Sequence, residues 1–476
     1  MHLPRRRAPP PMFAFSILCL GYVLLSMIST SSNAALDEGS SGVSIERLDP
    51  RLDALLGAEN LAASFNAVDV LVRGRLWTEG PVFWPSENTL LFSDVRDNAI
   101  YSWREEEEED TEKTKTEKGH GTSSPPGSVV AELVRPSGWL SASEAPMWEP
   151  GSNGLALDAF GNLVAAQHGE RQIARLPLSE VLGGNNGSGR TFRAVASRFQ
   201  GKRFNSPNDL AFNPLNGDLW FTDPVYGLEG YDDDPKKELM FQGVFRIPAA
   251  AYKEAVEGEP AAAAAAAADC AVTLEVSALS SPNGLAFSPD GETLFVSNSG
   301  KEASFWASFA VDRVSGRVVK KKENESDESV NSNNRTCPVS SLSAPSASAA
   351  AAALARAAAA TRASDLRPPL PSLEEDGGQK LFDVTEELKK ARAAGRTVGA
   401  CDGFKLDERG NVFASAIDSV YVFSPRFETL LGKIVVGDKL GNVAFGGKKG
   451  EDLFIAANSR ILRVRTRTRG EGTLRK

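Results

Sequence analysis

Six short segments of this 476-residue chain each begin with a side chain that carries an oxygen atom and then continue into an apolar run. Carboxylate and amide oxygens are the ligands that hard cations such as Ca²⁺ prefer. If these side chains converged on one point, they could hold a divalent cation that polarises a carbonyl group or acidifies a water molecule. Each asparagine also has a competing explanation, because Asn and Asp satisfy backbone groups at turns. The six opening residues are Glu79, Asn153, Asn208, Asn283, Asp402 and Asn442.

Repeated β-hairpins would position these residues. Each apolar run is followed by a turn signal and a second apolar run, as in Asn216-Gly217 followed by Leu219-Trp220-Phe221. This order is typical of a β-hairpin. Six hairpins, with room for two more strands each, predict an all-β chain folded as a six-bladed β-propeller whose innermost strands line a central channel. A β-sandwich would not place a polar residue at the same phase of every hairpin.

Low-complexity loop insertions explain the irregular spacing of the repeats. They cover residues 104–127, 258–270 and 320–372 and are rich in charged residues, in alanine, or in serine and asparagine. Because such segments have no apolar face to pack, we expect exposed or disordered loops without a role in function. The propeller itself is predicted over residues 55–470.

The N-terminus indicates secretion. Three arginines at 5–7 precede an apolar stretch over residues 12–28, and small residues follow. This order is typical of a cleaved signal peptide, here residues 1–35. The alternative is a retained signal anchor, since the apolar stretch is nearly long enough to span a bilayer. We expect a secreted or lumenal protein without a membrane partner after cleavage, and the sequons at Asn186, Asn324 and Asn334 fit that location.

Composition argues against several classes of protein. A net charge of −9 disfavours a nucleic-acid partner. Three histidines are too few for a Cys/His zinc site, and no G-x-S-x-G motif of a serine hydrolase occurs. After signal cleavage three cysteines remain. Cys270 and Cys337 flank insertions and could pair, whereas Cys401 lies within a repeat and is expected to be a buried thiol.

The motifs resemble those of the senescence-marker-protein/gluconolactonase family, which includes regucalcin-like lactonases. The most specific match is Asn205-Ser-Pro-Asn-Asp-Leu210 together with Trp220-Phe-Thr-Asp-Pro224. Residues 78–84, 281–285 and 401–404 match three further family motifs. The resemblance covers about residues 61–464 outside the insertions.

The resemblance implies a site for one divalent cation, with Ca²⁺ as the first choice and Mg²⁺, Mn²⁺ or Zn²⁺ as alternatives. The implied ligands are Glu79, Asn208, Asn283 and Asp402. Asp402 also takes the place of the family's general base, and it could instead act as a nucleophile. The implied substrate is a small lactone, contacted by Arg203, Asn208 and His168. Asn153 and Asn442 are expected to face the channel without binding the cation.

Two other functions remain open on the sequence. A propeller phosphotriesterase would use the same four ligands and would differ at the rim of the channel. A non-catalytic propeller that binds another molecule would need no carboxylates on the axis.

Overall fold

The structure, a computed structural model, describes residues 43–57, 68–106, 127–140, 148–182, 190–258, 261–321 and 370–471. The strands form six antiparallel sheets arranged as the blades of a propeller, which confirms the predicted fold. Five blades have four strands, and one has a fifth strand at its outer edge. The predicted signal peptide, the three sequons and most of the insertions 104–127 and 320–372 lie outside the described residues.

The first three blades follow the chain in order. Blade 1 contains β3 (Thr78–Trp84), β4 (Thr89–Asp94), β5 (Ala99–Glu105) and β6 (Ser128–Val134). Blade 2 contains β7 (Ser152–Leu157), β8 (Asn162–Gln167), β9 (Gln172–Pro177) and β10 (Arg193–Ala196). A short hairpin of β11 (Arg198–Phe199) and β12 (Lys202–Arg203) follows. Blade 3 contains β13 (Leu210–Phe212), β14 (Leu219–Asp223), β15 (Gly243–Ile247) and β16 (Thr273–Val276).

Blade 4 follows the chain in order, whereas blades 5 and 6 each include a strand from the N-terminal part of the chain. Blade 4 contains β17 (Pro282–Phe287), β18 (Thr293–Ser299), β19 (Ser304–Ala310) and β20 (Gly378–Asp383). Blade 5 contains β21 (Phe404–Leu406), β22 (Val412–Ala416), β23 (Ser419–Phe423), β24 (Leu430–Val435) and the early strand β1 (Ser44–Arg47). Blade 6 contains β25 (Asn442–Gly446), β26 (Asp452–Ala457), β27 (Arg460–Arg465) and β2 (Val68–Val72).

Five α-helices lie between strands. They are α1 (Arg51–Leu56), α2 (Leu178–Leu182), α3 (Ala249–Glu257), α4 (Ala261–Ala271) and α5 (Thr385–Ala393). Short 3₁₀ turns occur at Pro85–Glu87, Tyr231–Asp233 and Pro425–Phe427. None of the helices in the described ranges is long and apolar enough to cross a membrane.

The ring is closed by a strand from near the N-terminus. β2 pairs with β27, with Val68 opposite Val464, so the two ends of the ring share blade 6. β1 pairs with β24, with Ser44 opposite Val435. The propeller domain therefore begins before residue 55, its predicted start. The segment Ser44–Arg47 has a single apolar residue, which is too weak a pattern to predict a strand, and its pairing with β24 fixes it instead.

The core lies between neighbouring blades. Second strands such as β4 and β8 are buried along their whole length, because both of their faces pack against other blades. Aromatic side chains fill these interfaces. Trp220 of blade 3 meets Phe287 of blade 4 at 5.6 Å between ring centres, and Trp306 of blade 4 meets Phe423 of blade 5 at 5.7 Å. These contacts hold the blades, and with them the inner strands, at fixed positions.

One predicted loop insertion is helical. Residues 261–271 form α4, in keeping with the high helix propensity of alanine. Ala264 and Ala268 are buried, and the Asp269 carboxylate accepts a hydrogen bond from the Ser197 amide at 2.6 Å. Cys270 at its end is disulfide-bonded, whereas Cys337 lies outside the described residues. Because the run consists almost entirely of alanine, its sequence shows no apolar face, and the buried face of the helix could not be predicted.

Candidate active site

The six opening residues occupy equivalent places at the inner edge of the six blades. Each lies in, or within two residues of, the innermost strand of its blade. Five of them are nearly fully buried, and Asp402 is partly exposed. They lie at the starts of β3, β7, β13, β17, β21 and β25.

Hydroxyl groups on the second strands hold this inner ring together. Four of them donate to a backbone carbonyl of the next blade, at or beside its opening residue. The pairs are Ser93 with Asn153 (2.8 Å), Thr222 with Asn283 (2.7 Å), Ser415 with Gly441 (3.1 Å), and Ser299 with Cys401. The serine and threonine side chains of the second strands therefore hold the backbone around the opening residues in place.

A chain of hydrogen bonds links four consecutive blades, from blade 2 to blade 5. His168 Nε2 lies 3.1 Å from Asn208 Oδ1, so the imidazole carries its proton on Nε2 and donates to the amide oxygen. Asn208 Nδ2 then donates to Asn283 Oδ1 at 2.6 Å. Asn283 Nδ2 in turn donates to the Ser299 hydroxyl at 3.2 Å, and Ser299 donates to the Cys401 carbonyl. The chain fixes both amide groups and ends beside Asp402.

His168 is neutral in this arrangement. Its side chain is fully buried, and burial lowers its pKa to about 4. A neutral imidazole has one donor nitrogen, which Asn208 uses. His168 and Asn208, which were both predicted to contact the substrate, are therefore in contact with each other.

Two carboxylates of the ring, the buried Glu79 and the partly exposed Asp402, have raised pKa values. Burial, followed by the charge of Asp209, raises the pKa of Glu79 to about 8. Burial, followed by the charge of Glu79, raises the pKa of Asp402 well above its usual range. Among the residues that the structure describes, neither group has an ion-pair partner. Glu79 accepts one hydrogen bond, from the Gly80 amide at 3.2 Å.

Asp209 adds a third carboxylate. In four other blades a glycine follows the opening residue, and blade 3 has Asp209 instead. Gly154 of blade 2 shows why the small residue is needed, because a Cβ there would lie 2.7 Å from Asp209 Oδ1. Asp209 Oδ2 accepts from Asn442 Nδ2 at 3.2 Å and lies 3.9 Å from Lys405 Nζ. The ring therefore also contains a cation, Lys405, which the comparison of opening residues had not detected.

The donor set fits a divalent cation. Within the described ranges no three acidic, histidine or cysteine side chains gather as a metal cluster, so a cation here would need amide oxygens as well. The four predicted ligands supply two carboxylates and two amides whose orientation is fixed by hydrogen bonds. A bound cation would offset the cost of the unpaired Glu79 and Asp402 charges.

Arg203 is held by residues outside this ring. Its guanidinium group donates to the Glu170 carbonyl at 2.6 Å, and its backbone amide donates to Glu238. It has no hydrogen bond or ion pair with any opening residue in the described part of the chain. The neighbouring Arg171 is also used structurally, since it donates to the carbonyls of Phe204 and Asn205.

Two further polar side chains lie beside the ring without having been predicted. Glu149 is 13% exposed, and its Oε2 lies 3.6 Å from His168 Nδ1. Burial raises the pKa of Glu149 to about 7. The Tyr226 hydroxyl is buried beside Ser281 and Ser299, yet it has no aligned hydrogen-bond partner among the described residues. Tyr226 lies two residues after the family-like motif Trp220–Pro224, whereas no such motif lies near Glu149 in the sequence.

Comparisons with known proteins agree with this fold. The SMP-30/Gluconolactonase/LRE-like region matches residues 77–328. A gluconolactonase of Zymomonas mobilis is 29% identical over 449 residues, which cover 93% of this chain and 92% of that protein. The solved structure of a gluconolactonase from Xanthomonas campestris has a TM-score of 0.53 at 22% identity, covering 89% of this chain and 95% of that one. A structural-genomics target assigned as a gluconolactonase has a TM-score of 0.55 at 23% identity, covering 90% and 99%.

Proposed function

The chain belongs to the SMP-30/gluconolactonase/LRE-like family, and we propose that it is a cation-dependent hydrolase that opens lactones of sugar acids. The relative from Zymomonas mobilis, which spans nearly the whole chain, is a gluconolactonase. The cation would be held by Glu79, Asn208, Asn283 and Asp402. Ca²⁺ suits this set because it accepts carboxylate and amide oxygens in flexible geometry.

The observation that carries the proposal is the pair of unpaired carboxylates. Glu79 and Asp402 are held at equivalent positions of two blades, and the charge of Glu79 raises the pKa of Asp402. Leaving two like charges buried without a partner is costly for folding. A ring with only a structural role could use asparagine at all six opening positions and would need no carboxylates. The carboxylates therefore point to a ligand of opposite charge.

When bound, the cation would stabilise the negative charge that develops on the lactone carbonyl oxygen. We assign Asp402 the role of general base. It takes a proton from a water molecule whose oxygen forms a bond to the carbonyl carbon. The bond from that carbon to the ring oxygen then breaks, and the ring oxygen leaves as an alcohol after taking a proton. The product is an open-chain hydroxy acid.

The alternative for Asp402 is direct attack on the carbonyl carbon, which would form an anhydride that water then hydrolyses. A single turnover in H₂¹⁸O distinguishes the routes. As general base, Asp402 leaves the label in the product only. As nucleophile, Asp402 acquires ¹⁸O when water attacks its own carboxyl carbon, and mass spectrometry of the peptide containing Asp402 would detect that label.

We also propose a secreted or lumenal location. The predicted signal over residues 1–35 supports it, and so does the disulfide bond of Cys270, because structural disulfides persist in oxidising compartments. Expression of the full chain with a C-terminal tag, followed by N-terminal sequencing of the secreted protein, tests it. A tagged protein that stays in the membrane fraction with its N-terminus intact would contradict cleavage.

The activity is tested with the metal-depleted protein and single cations added back. We expect hydrolysis of aldonolactones such as glucono-δ-lactone, restored by Ca²⁺, and slower hydrolysis of phosphotriesters. A preference for phosphotriesters would favour the phosphotriesterase alternative. Absence of cation binding, measured by calorimetry, together with absence of turnover would favour a non-catalytic binding protein.

A further inference from the structure

We propose that Glu149, His168 and Tyr226 form a subsite that binds the ring hydroxyl groups of the substrate beside the cation site. The inference rests on the proposed lactonase function and names what would select a sugar lactone over an unsubstituted one. None of the three residues is an opening residue of a blade. They are brought together by loops of blades 2 and 3.

Glu149 is held in place by two neighbours. Its Oε2 faces His168 Nδ1 at 3.6 Å, and its Oε1 faces Arg96 at 3.8 Å. Arg96 also stacks on the exposed ring of Trp148, with its guanidinium carbon 4.3 Å from the ring centre. Glu149 therefore lies between the surface, where Trp148 is 61% exposed, and the fully buried His168.

Tyr226 approaches the same histidine from blade 3. Gly227 packs so closely on His168 that a Cβ at that position would lie 2.7 Å from His168 Cβ. The Gly227 amide donates to the Ser206 hydroxyl at 2.9 Å, which fixes the turn that carries Tyr226. Tyr226 is also close enough to Asp402 and Glu149 for both charges to raise its pKa. The turn that carries Tyr226 thus packs against His168, which contacts both Glu149 and Asn208.

The polar atoms of this region are left without partners. His168 Nδ1 and the Tyr226 hydroxyl are both buried and have no hydrogen bond among the described residues. Because His168 donates from Nε2 to Asn208, its Nδ1 is an acceptor. The Tyr226 hydroxyl offers a donor, and Glu149 offers an acceptor or, when protonated, a donor. Buried polar groups without partners are costly, and native proteins keep few of them.

A polyhydroxylated ring would satisfy all three groups. An alcohol O–H can donate to His168 Nδ1 and accept from Tyr226, whereas the methylene groups of an unsubstituted lactone can do neither. A site built to bond a substrate hydroxyl discriminates against an analogue that lacks it, because its own polar atoms stay unpaired. The arrangement therefore selects the hydroxylated ring and not merely the ester.

The experiment compares two lactones, glucono-δ-lactone and δ-valerolactone, in wild type, Tyr226→Phe and Glu149→Gln. In each variant we expect the ratio of kcat/KM for the hydroxylated over the unsubstituted lactone to fall about 10-fold, the effect of one lost hydrogen bond. Matched controls are Tyr231→Phe and Glu229→Gln, which change exposed residues of the same loop and should leave the ratio as in wild type. An unchanged ratio in both Tyr226→Phe and Glu149→Gln overturns the subsite.

A binding measurement separates this inference from the proposed function. Calorimetry with gluconolactam, which has the hydroxylated ring but an amide in place of the ester, reports binding without turnover. We expect about 10-fold weaker binding to Tyr226→Phe and Glu149→Gln than to wild type, and no difference for δ-valerolactam. If wild type hydrolysed neither lactone, the proposed function would be wrong. The lactam affinities of wild type and variants would still show whether the subsite exists. Equal gluconolactam affinity in all proteins would reject it.

Discussion

Charged side chains at the channel and at the outer half of the blades differ in their partners. Arg463 on β27 pairs with Asp69 at 2.7 Å and with Glu105 at 2.6 Å, joining β2 to β27 and blade 6 to blade 1. At the channel, Glu79 and Asp402 have no such partner among the described residues. The outer charges stabilise the ring, whereas the inner ones cost stability. The same residue types therefore stabilise the fold in one region and would bind the cation of the proposed function in the other.

The largest effect is expected at Asp402. Asp402→Asn keeps the size of the side chain and one oxygen, but it removes the carboxylate that accepts the proton. A positioned general base contributes about 10²–10⁴-fold to rate, so kcat at saturating Ca²⁺ should fall by that factor. Steady-state kinetics over a cation titration measure it. Recovery of near-normal kcat with added Ca²⁺ would show that Asp402 is a ligand only, and Glu79 or Asp209 would then become candidates for the base.

Glu79 tests whether an inner charge costs stability. Glu79→Gln removes a buried carboxylate whose pKa is raised to about 8, so the cation-free variant should unfold at a higher temperature than the cation-free wild type. Saturating Ca²⁺ should stabilise wild type, by about 2.7 kcal/mol at 100 times Kd. The variant should gain much less. Thermal unfolding with and without Ca²⁺ measures both, and equal stabilisation of the two proteins would remove Glu79 from the site.

The asparagines of the ring should differ among themselves. Asn208→Ala breaks the hydrogen-bond chain between His168 and Asn283 as well as removing a ligand oxygen. Asn153→Ala removes a side chain that is not among the predicted ligands. We expect weaker Ca²⁺ binding, by about 10-fold or more, for Asn208→Ala, and a smaller change for Asn153→Ala. Calorimetric titration would show the order, and the reverse order would contradict the choice of ligands.

The outer charges should affect stability alone. Arg463→Met keeps the aliphatic stem but leaves Glu105 without its ion pair to Arg463, and it leaves Asp69 paired with Arg465 at 3.0 Å. Because Glu105 is about half exposed, we expect a loss of about 1–3 kcal/mol, less than for a fully buried pair. Urea unfolding measures the loss, and kcat at saturating Ca²⁺ should stay at the wild-type value. A large loss of kcat in the folded variant would mean that the two regions are coupled.

The repeats made most of the fold predictable from the sequence. Each hairpin carries its own turn signal, and a polar residue at one phase of every hairpin has few explanations other than a common axis. The strand Ser44–Arg47 was not predictable, because only its pairing with β24 gives it a place. The packed face of the helix Ala261–Ala271 was also missed, since a run of identical residues has no periodicity.

The site was predictable only where it repeats. The opening residues stand out because six blades present them in the same way. Asp209 and Lys405 are residue types that the other blades lack at the equivalent positions, and Glu149 lies outside the repeated segments. Residues as far apart in the chain as Asn442 and Asp209 meet only in the folded ring. Arg203 was predicted to contact the substrate. Its guanidinium group donates to the backbone carbonyl of Glu170, and such a backbone contact cannot be predicted from the sequence.

The closure of the ring by β2 has a consequence for biosynthesis. Asp69 and its partner Arg463 are 394 residues apart, so the N-terminal strand is made first and can dock only when the last blade has been made. At about 5–20 residues per second, that delay is roughly 20–80 s of translation. During this time β27 does not exist, and the edge that β2 will use is missing. The chain therefore completes its circle only after β27 has been made, and β2 stays without its partner strand until then.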